Sequence, residues 1–238
     1  MTIANVQYQP IEGTRQKPDN KEERPPLNMG DRLSRAEFER RYHQYPEIKK
    51  AELIEGVVYM PSPIRLDQHG TPHFDLISWL GMYRATTLGV QGADNTTVRL
   101  DFENEVQPDI LLRLERGSSD KTEDDYLEGP PELIVEIAAS SAAYDMYDKK
   151  RIYGRNGVQE YLVVQMYEHK IDWFALREGI YESLPMDQEG IICSDVFPGL
   201  WLNVTAFWAN DLSQMLETLQ AGLASPEHTT FTQSLVKK

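Results

Sequence analysis

The sequence predicts an α/β fold in which a mixed central sheet is flanked by helices. Three observations predict it. A strand–helix–strand succession runs from 131 to 166, the order that pairs parallel strands through a helical crossover. Leu133-Ile-Val-Glu-Ile137 is an apolar run of the buried-strand type, with Glu136 inside it. Helical and strand-like stretches alternate along the chain instead of forming separate blocks.

The elements follow in order. Residues 1–29 are rich in Pro, Lys, Asn, Gln and Glu and lack periodicity, so a flexible N-terminal arm is expected. Ser34-Arg-Ala-Glu37 is a capping box, which predicts a helix to about Tyr42. Residues 51–60 read as two short strands around Gly56, and 61–70 as a loop. Thr71 can cap a helix over 72–86, with Pro72 at the first position, where its missing N–H breaks no bond. Residues 96–103 alternate as a half-buried strand does, and Val106 to Arg113 form another, with Asp109 at its start. A polar surface loop over 115–129 precedes the Glu136 strand. Residues 143–156 are helical in pattern and stop at Asn156-Gly157. A strand over 158–166, a hairpin over 170–184, a loop with short strand pieces over 190–203 and an amphipathic helix over 205–220 complete the reading. The folded domain is thus expected over 30–222, with a loose tail over 223–238.

Composition narrows the function classes. A chain of 238 residues suits one domain with tails. Its 38 Asp and Glu against 24 Lys and Arg give a formal charge of -14. That balance repels phosphate backbones, so nucleic-acid binding requires a local basic patch or metal ions held by the acids. One cysteine, Cys193, excludes an internal disulfide and a cysteine-based zinc site. No run of about 20 apolar residues is present, and Met1 to Asn28 contains no signal-peptide core. A cytoplasmic protein is expected.

The chemistry-bearing pattern is an acid on each of two strands followed by a lysine on a helix: Asp109, Glu136 and Lys149. Two converging carboxylates suit a hard divalent cation such as Mg²⁺ or Mn²⁺, which takes oxygen ligands and keeps waters. An acid at a strand start is more often a turn residue. A carboxylate inside an apolar strand is dehydrated unless paired, metal-bound or turned to solvent. Asp145 and Lys149 share a helical face with Tyr153 and read equally as a surface ion pair, with Lys150 and Arg151 as rival cations. His69 and His73 have metal-ligand spacing, but Gly70 and Pro72 interrupt it and no third ligand is evident. Glu52 and Glu55 are either supporting acids or surface.

Taken together, Glu52-Leu-Ile-Glu-Gly56, the Pro-Ser-Pro segment with His69, Pro108-Asp109, Pro131-Glu-Leu-Ile-Val-Glu136, Tyr144-Asp145-x-x-x-Lys149-x-x-x-Tyr153 and Gly157-Val-x-Glu-Tyr161 resemble the Uma-two family of restriction endonucleases, over roughly 33–185. The resemblance implies a restriction-endonuclease-like fold of the PD-(D/E)XK superfamily and Mg²⁺-dependent hydrolysis of DNA phosphodiesters. It implies that Asp109 and Glu136 hold the ion, with the Ile137 carbonyl as a further ligand, that Lys149 positions the attacking water, and that Glu52 or His69 completes the site. In the superfamily the lysine lies two residues after the glutamate. Here that residue is Ala138, and Lys149 fits the variant in which the lysine has moved to the next helix. Two alternatives stand beside this reading. The fold can persist as a non-catalytic interaction or regulatory module, expected as a homodimer, which the acidic charge and Ala138 favour. A paired-carboxylate glycosidase needs a sugar cleft with aromatic platforms, and Trp79, Trp173, Trp201 and Trp208 read mostly as core.

Overall fold

The structure, a computed structural model, describes residues 25–61, 65–139 and 144–236. In chain order the elements are α1 (Arg35–Tyr42), β1 (Glu52–Ile54), β2 (Val57–Tyr59), a π-helical turn (Leu66–Gly70) running into α2 (Thr71–Thr86), β3 (Val90–Asp94), β4 (Val98–Asp101), β5 (Asn104–Val106), β6 (Ile110–Leu114), β7 (Asp120–Lys121), β8 (Leu127–Glu128) and β9 (Leu133–Ala138). A second π-helical turn (Asp145–Lys149) runs into α3 (Lys150–Asn156). Then come β10 (Glu160–Gln165), β11 (Lys170–Arg177), β12 (Ile180–Ser183), β13 (Ile191–Cys193), β14 (Trp201–Asn203), α4 (Val204–Trp208), α5 (Leu212–Leu223) and α6 (Pro226–Val236). No helix among the described residues is long and apolar enough to cross a membrane.

The main sheet has the order β12-β11-β10-β9-β6-β3. It is mixed: β9 and β10 are parallel, with the second π turn and α3 between them in sequence, and the other pairs are antiparallel. This is the mixed α/β architecture the sequence predicts. The two central strands are buried along their whole length, which is why their sequences run apolar without alternation.

One central sheet was the expectation, and the strands over 52–59, 98–106 and 120–128 depart from it. They form a second sheet, β2-β1-β5-β4-β8-β7. The chain passes between the sheets at Gln107-Pro108-Asp109, between β5 and β6. Pro108 has no N–H to give a ladder, so a break in pairing there loses nothing.

Period-two alternation on β9 divides the core. Leu133, Val135 and Ile137 pack with Leu76, Trp79, Leu80 and Tyr83 of α2 and with Met215 and Leu219 of α5. Ile134 and Ala138 join the other cluster, with Ile152 and Tyr153 of α3, Leu111 of β6, and Ile54, Val98 and Val106 of the second sheet. Glu136 lies between Ile134 and Ala138 in this alternation, so it shares their face.

Four expectations need correction. The segment 61–70 is not all loop: Leu66–Gly70 is a π-helical turn continuous with α2. The helix over 205–220 is two helices, with Asn203 accepting from the Ala206 N–H at one start and Asp211 accepting from the Gln214 N–H at the next. Asn210 between them has φ 54°, which no α-helix contains. The arm over 1–29 lies outside the described residues as far as 24, but Leu27 is buried with Phe38, Ala51, Leu53 and Val58, so the domain begins before residue 30. The tail is not loose. Ser225 accepts from the His228 N–H and starts α6 with Pro226 at its first position. His228 is buried, its Nδ1 donating to the Leu223 carbonyl and its Nε2 accepting from the Thr87 hydroxyl. Phe231 and Leu235 pack on the main core. Polar composition hid this helix because one apolar edge is enough to dock it.

Candidate active site

The site is assembled by the face of β9 that carries Glu136. The antiparallel register of β6 and β9 pairs Ile110 with Val135 and Leu111 with Ile134. Extended by one step, it sets Asp109 opposite Glu136, and residues opposite one another project to the same face. The two acids therefore face the same side of the sheet. Both are buried, Asp109 at 5% and Glu136 at 3% exposure, which removes the surface-turn and solvent-facing readings.

Asp109 is held from several directions. Its Oδ2 accepts from the Ile137 N–H at 2.8 Å and from His69 Nε2 at 3.1 Å. Lys50 Nζ stands 3.4 Å from Oδ1. The Asp109 backbone carbonyl accepts from His73 Nε2 at 3.1 Å, so the two histidines serve one residue and do not form a zinc pair. Burial opposes ionisation here, but the His69 bond, the Lys50 charge and the Ile137 N–H hold the Asp109 carboxyl well below the usual carboxylate range.

Glu136 Oε1 accepts from Lys149 Nζ at 2.9 Å and from the Tyr153 hydroxyl at 2.8 Å. Lys149 also lies 3.1 Å from Glu52 Oε2 and 3.7 Å from Asp145 Oδ1. The surface ion pair read from Asp145 and Lys149 is thus corrected: both are buried at 3% exposure. Asp145 and Lys149 stand at the two ends of the π-helical turn, four residues apart and so on one face, and that face is turned inward, while Tyr147 between them is exposed. Ala138 occupies Glu136's face two residues on and brings no charge, so the ammonium arrives from the π turn. Lys150 and Arg151 point elsewhere, Lys150 over the Phe174 ring and Arg151 to Glu55 and Asp148.

Glu52 links the parts. Its Oε1 accepts from the Gln107 N–H at 2.8 Å while Oε2 pairs with Lys149. It thereby ties β1 to the Pro108-Asp109 crossing and to the π turn. Glu55 pairs with Arg151 and Arg155 at the surface and takes no part. Lys50 was missed by the sequence reading, and His73 was read only as a possible metal ligand beside His69. Lys50 stands two residues before Glu52, just ahead of the motif that was singled out, and that proximity was the only signal.

Four carboxylates, Asp109, Glu136, Glu52 and Asp145, face two ammonium groups, Lys149 and Lys50. Burial pushes the Glu136 carboxyl up to about 8, with Asp109, Asp145 and Glu52 adding to the rise and Lys149 opposing it. Burial works against the Lys149 ammonium too, but Glu136, Glu52 and Asp145 overcome it and raise its pKa well above that of an ordinary lysine.

Among the described residues, no three His, Cys, Asp or Glu side chains form a ready metal-binding group. Asp109 and Glu136 offer two carboxylates, the number of side chains Mg²⁺ usually takes from protein. Three observations fit such an ion. The carboxylates outnumber the cations. Their donors are hard oxygens. The buried His69 Nδ1 and Tyr144 hydroxyl lack hydrogen-bond partners among the described residues, a cost that an ion's water shell can relieve.

Residues 36–205 match the family described as "Uma2: Putative restriction endonuclease". The chain belongs to the Uma2 family. A solved structure with the same fold is described as a putative nuclease belonging to DUF820 from Anabaena variabilis ATCC 29413, determined at 1.96 Å. It is 12% identical, covers 71% of this chain and 96% of its own, and superposes with a TM-score of 0.55. No curated protein matches the chain. The Uma2 match spans every site residue named above.

Proposed function

We propose that this Uma2 protein is a Mg²⁺- or Mn²⁺-dependent endonuclease that hydrolyses phosphodiester bonds of DNA. The observation that carries the reading is the meeting of Asp109 and Glu136 on one buried face, with the Lys149 ammonium 2.9 Å from Glu136. Asp109 and Glu136, with the Ile137 carbonyl, would hold the ion. When bound, the ion supplies a water of lowered pKa and neutralises charge on the phosphoryl group. Lys149 orients that water and stabilises the developing negative charge. Glu52 and Asp145 fix the Lys149 ammonium, Tyr153 fixes the Glu136 carboxylate, and His69 fixes that of Asp109. A cytoplasmic homodimer would present two such sites to the two strands of a duplex, related by the duplex's own two-fold symmetry.

Plasmid nicking with Mg²⁺ or Mn²⁺ tests this. Asp109→Asn and Glu136→Gln are each expected to abolish cleavage. Their stabilities are expected to differ. Glu136→Gln leaves Lys149 with Glu52 and Asp145 and relieves repulsion, so its melting temperature stays close to that of the parent or rises. Asp109→Asn loses favourable bonds to His69, Lys50 and the Ile137 N–H, so about 1–3 kcal/mol of stability goes with it. Parent protein that nicks no DNA and binds neither ion in calorimetry would retire the reading. The site would then support the non-catalytic module, which the charge of -14 and the existing lysine partners of all four carboxylates favour.

A further inference from the structure

The two lysines of the site are unlike. Lys149 is enclosed, with 4% of its side chain exposed, and is shared among three carboxylates. Lys50 keeps 21% exposure, and among the described residues its one ionic partner is Asp109, at 3.4 Å. The Asp109 oxygens are divided between two kinds of partner. Oδ2 faces inward and takes the Ile137 N–H and His69 Nε2, both held by packed backbone or a part-buried ring. Oδ1 is the oxygen left for an ion, and Lys50 covers it.

We infer that Lys50 is the resident cation of the metal-free site: a divalent ion displaces it from Asp109 Oδ1, and the released ammonium then takes a phosphate of the substrate. The inference rests on the nuclease reading and goes beyond it, since it gives one residue opposite effects on the two ligands. An ammonium on a flexible four-carbon stem can swing outward without disturbing the fold. Its attachment next to the buried Ala51 and Glu52 keeps it at the rim of the site. Lys149 is held among three carboxylates, so of the two site lysines Lys50 is the one free to receive a phosphate. The exchange leaves neither charge stranded: a +2 ion takes the place of the +1 group on Asp109 with Glu136 as its second carboxylate, and the freed +1 group meets a −1 phosphate.

The test is Mn²⁺ titration by calorimetry of the full-length parent, Lys50→Met, Lys50→Gln and Lys49→Met. Lys49 is the control for general charge, because its Nζ turns to the Pro46 carbonyl. Both Lys50 variants are expected to bind Mn²⁺ about tenfold more tightly, the size of effect a neighbouring charge exerts at a partly buried carboxylate, and Lys49→Met within twofold of the parent. At saturating Mn²⁺ the Lys50 variants should show a KM for DNA raised about tenfold. Mn²⁺ affinity unchanged or weakened in both Lys50 variants, or raised equally in Lys49→Met, overturns the inference while leaving cleavage by the parent intact. A parent that binds no Mn²⁺ overturns the nuclease reading, and this inference with it.

Discussion

At the residue scale, the site is a charge cluster whose members hold one another in place. Lys149 sets its stability. Lys149→Met removes the ammonium that Glu52, Glu136 and Asp145 share, which costs about 3–5 kcal/mol near pH 8. The sign with pH is definite. Burial raises the Glu136 carboxyl and Lys149 opposes that rise, so without the ammonium Glu136 stabilises the fold at low pH and the contribution is lost as pH rises. Urea unfolding should therefore show the deficit shrinking between pH 8 and pH 5.5. The same logic governs ion binding. Glu136 must lose its proton to ligate, and its carboxyl is raised to about 8. Mn²⁺ affinity is expected to climb from pH 6.5 to 8.5, with proton release visible when buffers of different ionisation enthalpy are compared. Away from the site, burial and then the neighbouring Glu39 carboxylate raise Glu105 to about 8, against the opposing pull of Arg99. This raised carboxyl favours the fold below about pH 4.5 and costs stability as pH rises through about 8. Glu105→Gln, neutral at every pH, should be more stable than the parent at pH 8.5 by about 1–2 kcal/mol and equal to it at pH 4.5, as measured by chemical denaturation.

At the scale of elements, short-range signals and long-range docking divide the work. Half of the capping box of α1 formed, with Ser34 Oγ accepting from the Glu37 N–H at 3.4 Å, because a cap needs only residues within one turn, while the Glu37 carboxylate turned to Arg40 and Arg41. The π turn was not legible, because an i to i+5 pattern differs from α by a single residue, and the four-residue spacing of Asp145 and Lys149 puts them on one face of either helix. Helix α6 shows the same limit. Its start signal, Ser225-Pro226, was present, but its stability comes from contacts with Thr87, Phe197 and the main core. Truncation after Ser225 is expected to lower the melting temperature by several degrees, corresponding to about 2–3 kcal/mol from the lost His228 bonds and aromatic packing. A truncated chain as stable as the parent would show that α6 is dispensable packing.

At the scale of the molecule, the site lies where the two sheets exchange the chain. Pro108-Asp109 leaves one sheet and enters the other, and Glu52 of the second sheet reaches across to Lys149. The crossing is rigid on its main-sheet side, since β9 and β10 are fully buried, and more open beyond it, where β7 and β8 are two-residue strands. Amide hydrogen exchange should report this as a gradient, with β9 and β10 slowest, β7 and β8 fastest and β1 between. Uniform protection across both sheets would mean that they open as one unit.

The sequence by itself determined the class of the fold, the strand stretches at which Asp109 and Glu136 stand, and the helical stretch after β9 from which Lys149 comes. Each of these follows from period, caps and turn chemistry, which act over a few residues. Only the tertiary structure decided that there are two main sheets, that α6 docks, that Glu52 and Asp145 both serve Lys149, and that Lys50 covers Asp109 from 59 residues away. Contacts at that separation are chosen by the summed packing of the whole chain. A lysine or glutamate at the rim of a strand carries the same local pattern whether it meets water or a buried partner.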